Sequence, residues 1–286
     1  MERITVNVND VQDYDFQNGT YYIIEGKAER NVKLRTKLPW SESALLDFNR
    51  VNMGPYNIQL QGCERLIIHR AHVSSEIDHG LILNKAFQNI ISESSFYGTN
   101  GVWITNGSGS NFFYRCTGVS YQNDGFTCHK NKDGECGDHN FFYKCYGYGK
   151  EEAFDLVSGV GHFLYECDAG SASSWSVAVN NKSSGVIFNC KSDKGLMIKE
   201  CSFLQIYDSM FSKIAFRTSK GRKPQNVRLY SSGFYEYDIR NIEDLDLDKI
   251  LNITGTIYYN SSYIKDSAGY KISIIKDYDH DISLKE

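Results

Sequence analysis

A period near 22 residues constrains this chain more than any other feature. The segments Asn89-Ile-Ile-Ser-Glu-Ser94, Asn111-Phe-Phe-Tyr-Arg-Cys116, Asn140-Phe-Phe-Tyr-Lys-Cys145, His162-Phe-Leu-Tyr-Glu-Cys167, Gly185-Val-Ile-Phe-Asn-Cys190 and Asn226-Val-Arg-Leu-Tyr-Ser231 share one template, with Leu204-Gln-Ile-Tyr-Asp-Ser209 as a weaker copy. The closing Ser or Cys falls at 94, 116, 145, 167, 190, 209 and 231, at intervals of 22, 29, 22, 23, 19 and 22. A second run recurs in phase: Gly80-Leu-Ile-Leu, Gly101-Val-Trp-Ile, Gly125-Phe-Thr-Cys, Ala153-Phe-Asp-Leu, Ser176-Val-Ala-Val, Gly195-Leu-Met-Ile and Ala215-Phe-Arg-Thr. Alternate positions in these runs are apolar, which is the period of a strand with one buried face. Self-similarity of this length means stacked supersecondary units rather than a closed globule.

Each repeat holds two or three short strands parted by polar turns, and the small residue opening the second run predicts tight, glycine-led corners. Coils that stack at about 4.8 Å form parallel sheets along a rod, with each interior position repeated as a ladder. Seven or eight coils of roughly 22 residues are expected. The fold class is therefore all-β, a single-stranded right-handed parallel β-helix. A sandwich needs no in-phase repeat, and the Leu-x-x-Leu-x-Leu signature of leucine-rich repeats is missing. Residues 57–240 carry the repeat; 1–56 and 241–286 do not and are expected to cap the open sheet edges. The first contains the strand-like run Gly19-Thr-Tyr-Tyr-Ile-Ile24, and the second Lys271-Ile-Ser-Ile-Ile275.

Composition narrows the function classes. The 31 Lys and Arg against 35 Asp and Glu leave a net charge of −4, so no basic excess points to nucleic acid. No run of eighteen apolar residues offers a membrane span, and no signal peptide is expected at the N-terminus. Cys116, Cys145, Cys167 and Cys190 share one repeat position, with Ser94, Ser209 and Ser231 continuing it, which predicts an interior ladder of reduced, inert side chains. Unpaired thiols fit synthesis in a reducing compartment, with a virion or extracellular destination after release. Asn89, Asn111, Asn140 and Asn226 read as a second ladder of stacked amides.

The Gly-Val-x-Ile run followed by Asn-x-x-x-x-Ser/Cys resembles the repeats of the pectin-lyase-like β-helix superfamily. Members of that superfamily act as lyases, hydrolases, epimerases or binders, so the resemblance implies fold first and activity only through a site. For a uronate lyase it implies a Lys or Arg base on the parallel-strand face and Ca²⁺ held by acidic oxygens.

Outward rows on the second run are where such a site is expected. One reads Ile82, Trp103, Thr127, Asp155, Ala178, Met197 and Arg217, and the next Asn84, Thr105, His129, Val157, Asn180, Lys199 and Ser219. The preceding turn supplies Asn100, Asp124, Glu152, Trp175 and Lys194. The single interval of 29 locates an insertion at His129–His139 that could wall a groove. Asp124, His129, Asp138, His139, Glu151, Glu152 and Asp155 form the candidate cluster.

For β-elimination, Asp124, Glu152 and Asp155 are the calcium-ligand candidates, and Lys199, Arg217, His129 and Lys130 the catalytic ones. Trp103, Trp175, Tyr121 and Asn180 are the substrate-binding candidates, the aromatic rings stacking on sugars. A hydrolase would pair Asp124 with Asp155, but the Asp-Asp and Gly-His-Gly signatures of polygalacturonase-type enzymes are absent. Cys128, His129, Cys136 and His139 place four N/S donors within twelve residues, at a spacing no zinc finger uses and with Cys128 pointing inward. The alternative is a non-catalytic glycan-binding or architectural β-helix, such as a viral or phage tail or surface appendage. Such proteins often form trimers, although no heptad segment is present here to drive one.

Overall fold

The computed structural model describes residues 2–130, 136–173, 175–217, 227–230, 232–240, 251–254 and 258–259. Its strands form two parallel sheets, one of twelve strands and one of sixteen. In a typical coil the first strand, such as Phe112–Tyr114, belongs to the twelve-stranded sheet. The second and third strands, such as Thr117–Ser120 and Phe126–Cys128, belong to two limbs of the other. The limbs join where the strand Lys191–Lys199 runs through both without a turn. The chain is thus a right-handed parallel β-helix, as the repeat requires.

The ladder is longer than the seven or eight coils expected: twelve first strands stack in one sheet. Strands on both sides of residue 56 belong to it, because Arg3–Asn7 pairs with Tyr21–Lys27, which pairs with Ala44–Asn52, which pairs with Leu66–His69. Periodicity hides there because the early coils carry neither the Asn nor the Cys. Their core is nonetheless continuous. Tyr22 and Ile24 are fully buried, and Phe16 packs edge-on against Tyr22 with ring centroids 4.9 Å apart. At the other end, Leu251–Thr254 and Tyr258–Tyr259 still pair with the preceding coil, while Lys271–Ile275 lies outside the described residues.

Stacked identical residues hold the interior together. Phe113 and Phe142 lie face to face at 5.0 Å, as do Phe126 and Phe154 at 5.1 Å. Each such ring, fully buried, stabilises the fold by about 1.5–3 kcal/mol. The thiols of Cys116, Cys145, Cys167 and Cys190 donate to the carbonyls of Ile91, Phe113, Phe142 and Leu164 in the preceding coil, at 3.3–3.6 Å. All eight cysteines are free and buried. Ser94 and Ser209 flank the ladder, the Ser209 hydroxyl accepting the Cys190 N–H at 3.0 Å. The next rung is Ser232, which accepts the Ser209 N–H at 3.3 Å; Ser231 lies outside the described residues. In the amide ladder, Asn89 donates to Asn111 at 3.0 Å and Asn111 to Asn140 at 3.1 Å. Asn226 lies outside the described residues.

The glycines that open the second run, Gly80, Gly101, Gly125 and Gly195, do not make the corners by adopting left-handed conformations. That role falls to polar residues before each ladder position, such as Arg115, Lys144 and Glu166 at φ 50–53°. Gly101 and Gly125 serve close approach instead: a Cβ on Gly101 would lie 2.5 Å from the Gly125 carbonyl, and one on Gly125 2.7 Å from that of Ala153.

Candidate functional site

The corner between second and third strands is where the repeat stops being uniform. Its backbone is built like the interior ladders, one residue per coil bonding the next. Asn100 Oδ1 accepts the Asp124 N–H at 3.0 Å, and Asp124 Oδ1 accepts the Glu152 N–H at 3.2 Å. Two coils in succession therefore place a carboxylate where the earlier coil has an amide. Asp124, Glu151 and Glu152 bring one carboxylate oxygen each to within 4.8 Å of one another.

Electrostatics make this arrangement costly without a counter-charge. Burial pushes the Asp124 carboxyl up to about 8, and the negative charges of Glu152 and Glu151 add to the shift. Burial also raises Glu152, with Glu151 pushing the same way and Lys199 opposing. Asp155 stands on the third strand, in register with Thr127 and Ala178, and is held well above the usual carboxylate range by burial and by Asp124 and Glu152. Lys199 is the cation whose field opposes both Glu152 and Asp155.

The structure redistributes the residues expected to share this site. Glu151, not Asp155, completes the acidic trio, because Asp155 belongs to the strand and Glu151 to the corner. Asp138 and His139 sit at the entrance to the strand Phe141–Tyr143, where the Asp138 carboxylate accepts the Val160 N–H at 2.8 Å. His129 is exposed, its ring bonded to the Lys130 carbonyl; Lys130 is exposed as well. Arg217 pairs with Lys199, and Ala215 takes the expected place beside Met197. The register differs by one pleat: Met210–Arg217, like Lys191–Lys199 before it, runs straight through the corner, and the pairing of the two shifts between Ser192 and Gly195. Arg217 in turn pairs with Arg240, so three cationic residues occupy one register position in consecutive coils.

The binding candidates are dispersed. Trp103 is half-buried against the His79 ring at 4.5 Å, and burial keeps that imidazole neutral by lowering its pKa. The Trp175 ring carries Lys213 Nζ above it at 4.4 Å. Tyr121 lies at the corner against Tyr97, its hydroxyl bonded to the Glu76 carbonyl at 3.0 Å. Asn180 turns the chain, accepting the Asn181 N–H at 2.8 Å. Between them, the Thr105 and Thr127 hydroxyls are buried on the outward rows and have no hydrogen-bond partner among the described residues. His79 went unrecognised because it precedes the well-marked repeats, although it falls at the Asn100 position one coil earlier and its Nδ1 accepts the Asn100 N–H at 3.2 Å.

The twelve-stranded sheet offers no comparable platform. Its outward rings stack on each other, Phe141 on Phe163 at 4.5 Å and Tyr165 on Phe188 at 5.0 Å, with interplanar angles of 2° and 7°. In these two pairs the facing sides of the rings are covered by the neighbouring coil.

No protein-family model matches the chain, and no curated protein matches it. Among solved structures, an alginate lyase from Paenibacillus sp. str. FPU-7 superposes with a TM-score of 0.51 at 11% identity, covering 89% of this chain and 99% of its own. Pectate lyase Pel9A gives 0.47 at 11% identity, covering 85% of this chain, which spans 66% of the lyase. A mannuronic acid specific polysaccharide family 6 lyase from human gut microbiota gives 0.39 at 9%, covering 93% and 89%. At such identities the likeness is one of fold. The chain shares the right-handed parallel β-helix architecture of the alginate lyase. No helix among the described residues is long and apolar enough to cross a membrane.

Proposed function

We propose that the chain acts on a uronic-acid-containing polysaccharide laid along the third-strand face and cleaves it by β-elimination. The observation that carries this reading is the opposition of charges on one face: an acidic trio at the corner, with Lys199 close enough to offset Glu152 and Asp155. A polyanionic substrate needs cationic contacts and a way to neutralise the carboxylate next to the reacting carbon. Lys199 supplies the first, with Arg217 and Arg240 following it in the strand register. The second suits Ca²⁺, which takes oxygen ligands from flexible carboxylate sets.

Asp124, Glu151 and Glu152 would hold the ion. The fit rests on their converging oxygens and on the raised Asp124 carboxyl, whose mutual repulsion a divalent cation relieves. When bound, Ca²⁺ supplies stabilisation of the enolate that forms when the proton α to the uronate carboxylate is removed. Lys199 is our assignment for the base, acting as the neutral amine from the outward row, near enough for its charge to oppose Glu152 and Asp155. Trp103 offers an apolar wall.

The neighbouring lyase structures support this reading through their fold alone. The test is absorbance at the unsaturated-uronate band during incubation with pectin, alginate, glycosaminoglycans and bacterial capsules, with Ca²⁺ or chelator. A calcium-dependent rise on one polymer is expected, and Lys199→Ala should abolish it with the melting transition unchanged. A flat trace on every polymer with folded protein sinks the lyase reading and leaves glycan binding without cleavage, in which case Trp103→Ala should still weaken polymer retention.

A further inference from the structure

Three interior rows change residue type at the same level of the rod. The first runs Leu34, Leu60, Leu83, Ile104, Cys128, Leu156, Val179 and Ile198, so one thiol interrupts a column of branched aliphatics. In the second, the Ala86 N–H bonds the Ser108 hydroxyl and the Cys136 N–H bonds the Ser158 hydroxyl, which places Cys136 in a row of small residues. The third is the amide ladder, where His162 follows Asn140 and its Nδ1 accepts the Asn140 N–H at 3.3 Å. None of these changes helps the column it interrupts. Cys128 fills less space than its aliphatic neighbours, and the imidazole ends a ladder that an amide would continue.

Together they do something no single column explains. Cys128 Sγ, Cys136 Sγ and a ring nitrogen of His162 all lie within 4.8 Å of one another, and all three residues are buried. The four thiols of the cysteine ladder lie along a line, each on a carbonyl of the preceding coil, whereas Cys136 Sγ, which also reaches the Ser108 carbonyl at 3.6 Å, has a second thiol and an imidazole beside it. His162 Nε2 lies 2.7 Å from the Ser158 carbonyl, which can only accept, so Nε2 carries the proton, and the Nδ1 lone pair, which accepts the Asn140 N–H at 3.3 Å, is the one that would turn to a metal in place of that long bond. A backbone carbonyl on the far ring nitrogen is the usual outer support of a metal-bound histidine. Asn140 Nδ2 points at Cys136 Sγ at 3.5 Å, a donor suited to a thiolate.

We propose that Cys128, Cys136 and His162 form a structural zinc site inside the rod. Zinc takes thiolate at about 2.3 Å and imidazole at about 2.0 Å, so three of its ligands lie roughly 3.5–3.8 Å apart, a contraction of at most about 1.0–1.3 Å from the present 4.8 Å limit. Two thiolates cancel the charge of one Zn²⁺, which lets the ion sit in the core without a buried net charge. The ion would tie the third strand Phe126–Cys128 to the far side of the insertion and to the next coil through His162. That gives the one long connection in the repeat a fixed return point. The site stands whether or not the chain acts on polysaccharide.

The test uses the reduced, metal-stripped full chain titrated with Co²⁺, then Zn²⁺. About one equivalent of Co²⁺ should bind with a thiolate charge-transfer band and tetrahedral absorption, displaced by Zn²⁺. Cys128→Val, Cys136→Ser and His162→Asn each install a residue that nearby coils carry in the same column, so the metal-free fold is retained; each should lose the band. Cys145→Ser should keep it. Folded wild-type protein without a band, a band unchanged by His162→Asn, binding of Cu(I) but not Zn²⁺, or a Cys128–Cys136 disulfide in protein purified under reductant would each overturn the proposal.

Discussion

The interior of the twelve-stranded sheet and the corner at Asp124 are built by the same backbone device and serve opposite ends. In the interior, Asn89, Asn111 and Asn140 each meet the identical side chain one coil away, so every donor finds an acceptor. At the corner the same coil-to-coil bond links Asn100 to Asp124 and Asp124 to Glu152. Here two carboxylates replace two amides. An amide donates as well as accepts and so satisfies its neighbour, whereas a carboxylate only accepts and repels the next one. The lesson is that a stacked row stabilises when its residue is self-complementary and stores electrostatic cost when it is not. The cost falls where a cation could relieve it.

Breaking the uniform region should have the largest effect. Phe142 stacks on Phe113 and meets Phe126 and Phe154 edge-on, so Phe142→Ala should lower stability by about 3–5 kcal/mol in denaturant unfolding. Next is Asn111→Ala, which strips partners from Asn89, Asn140 and the Ala86 carbonyl. With each orphaned buried group costing about 1–3 kcal/mol, a loss of at least about 2 kcal/mol is expected by the same measurement.

The corner should respond with the opposite sign. The folded Asp124 carboxyl keeps its proton up to about 8, against 3.8 for the ordinary group. Between those values the folded state holds a proton that the unfolded chain has released, so stability declines as pH rises through the window. Asp124→Asn continues the Asn100 amide, still accepts the Glu152 N–H and cannot ionise. It should raise the melting temperature at pH 8, have little effect near pH 4, and flatten the pH profile between. A mutant less stable than wild type at both ends would show that the carboxylate is structural.

The ladders were legible in the sequence because one requirement is imposed in every coil, so Cys116, Cys145, Cys167 and Cys190 announce a shared position without any structure. The early coils were not, since Tyr22 and Leu46 meet the same requirement with different residues. The site was legible only in outline. Asp124 and Glu152 fall at equivalent positions and read as one set, and Glu151, expected only in the wider cluster, brings its carboxylate to them, while Asp155 belongs to the strand. Arg217 moved one pleat, in a strand whose pairing with Lys191–Lys199 shifts between Ser192 and Gly195, a change of geometry that leaves the apolar alternation intact. His162 carried a signal, the one imidazole among template asparagines, that gains meaning only when Cys128 and Cys136 are seen beside it.

The most direct test of the claim that the acidic corner is the working part of this rod is the melting temperature with and without Ca²⁺ at pH 8, in wild type and Asp124→Asn. The account predicts that Ca²⁺ stabilises the wild type, that the gain shrinks as pH falls toward 4, and that it is lost in the mutant. Equal stabilisation of both proteins, or none in either, would contradict it.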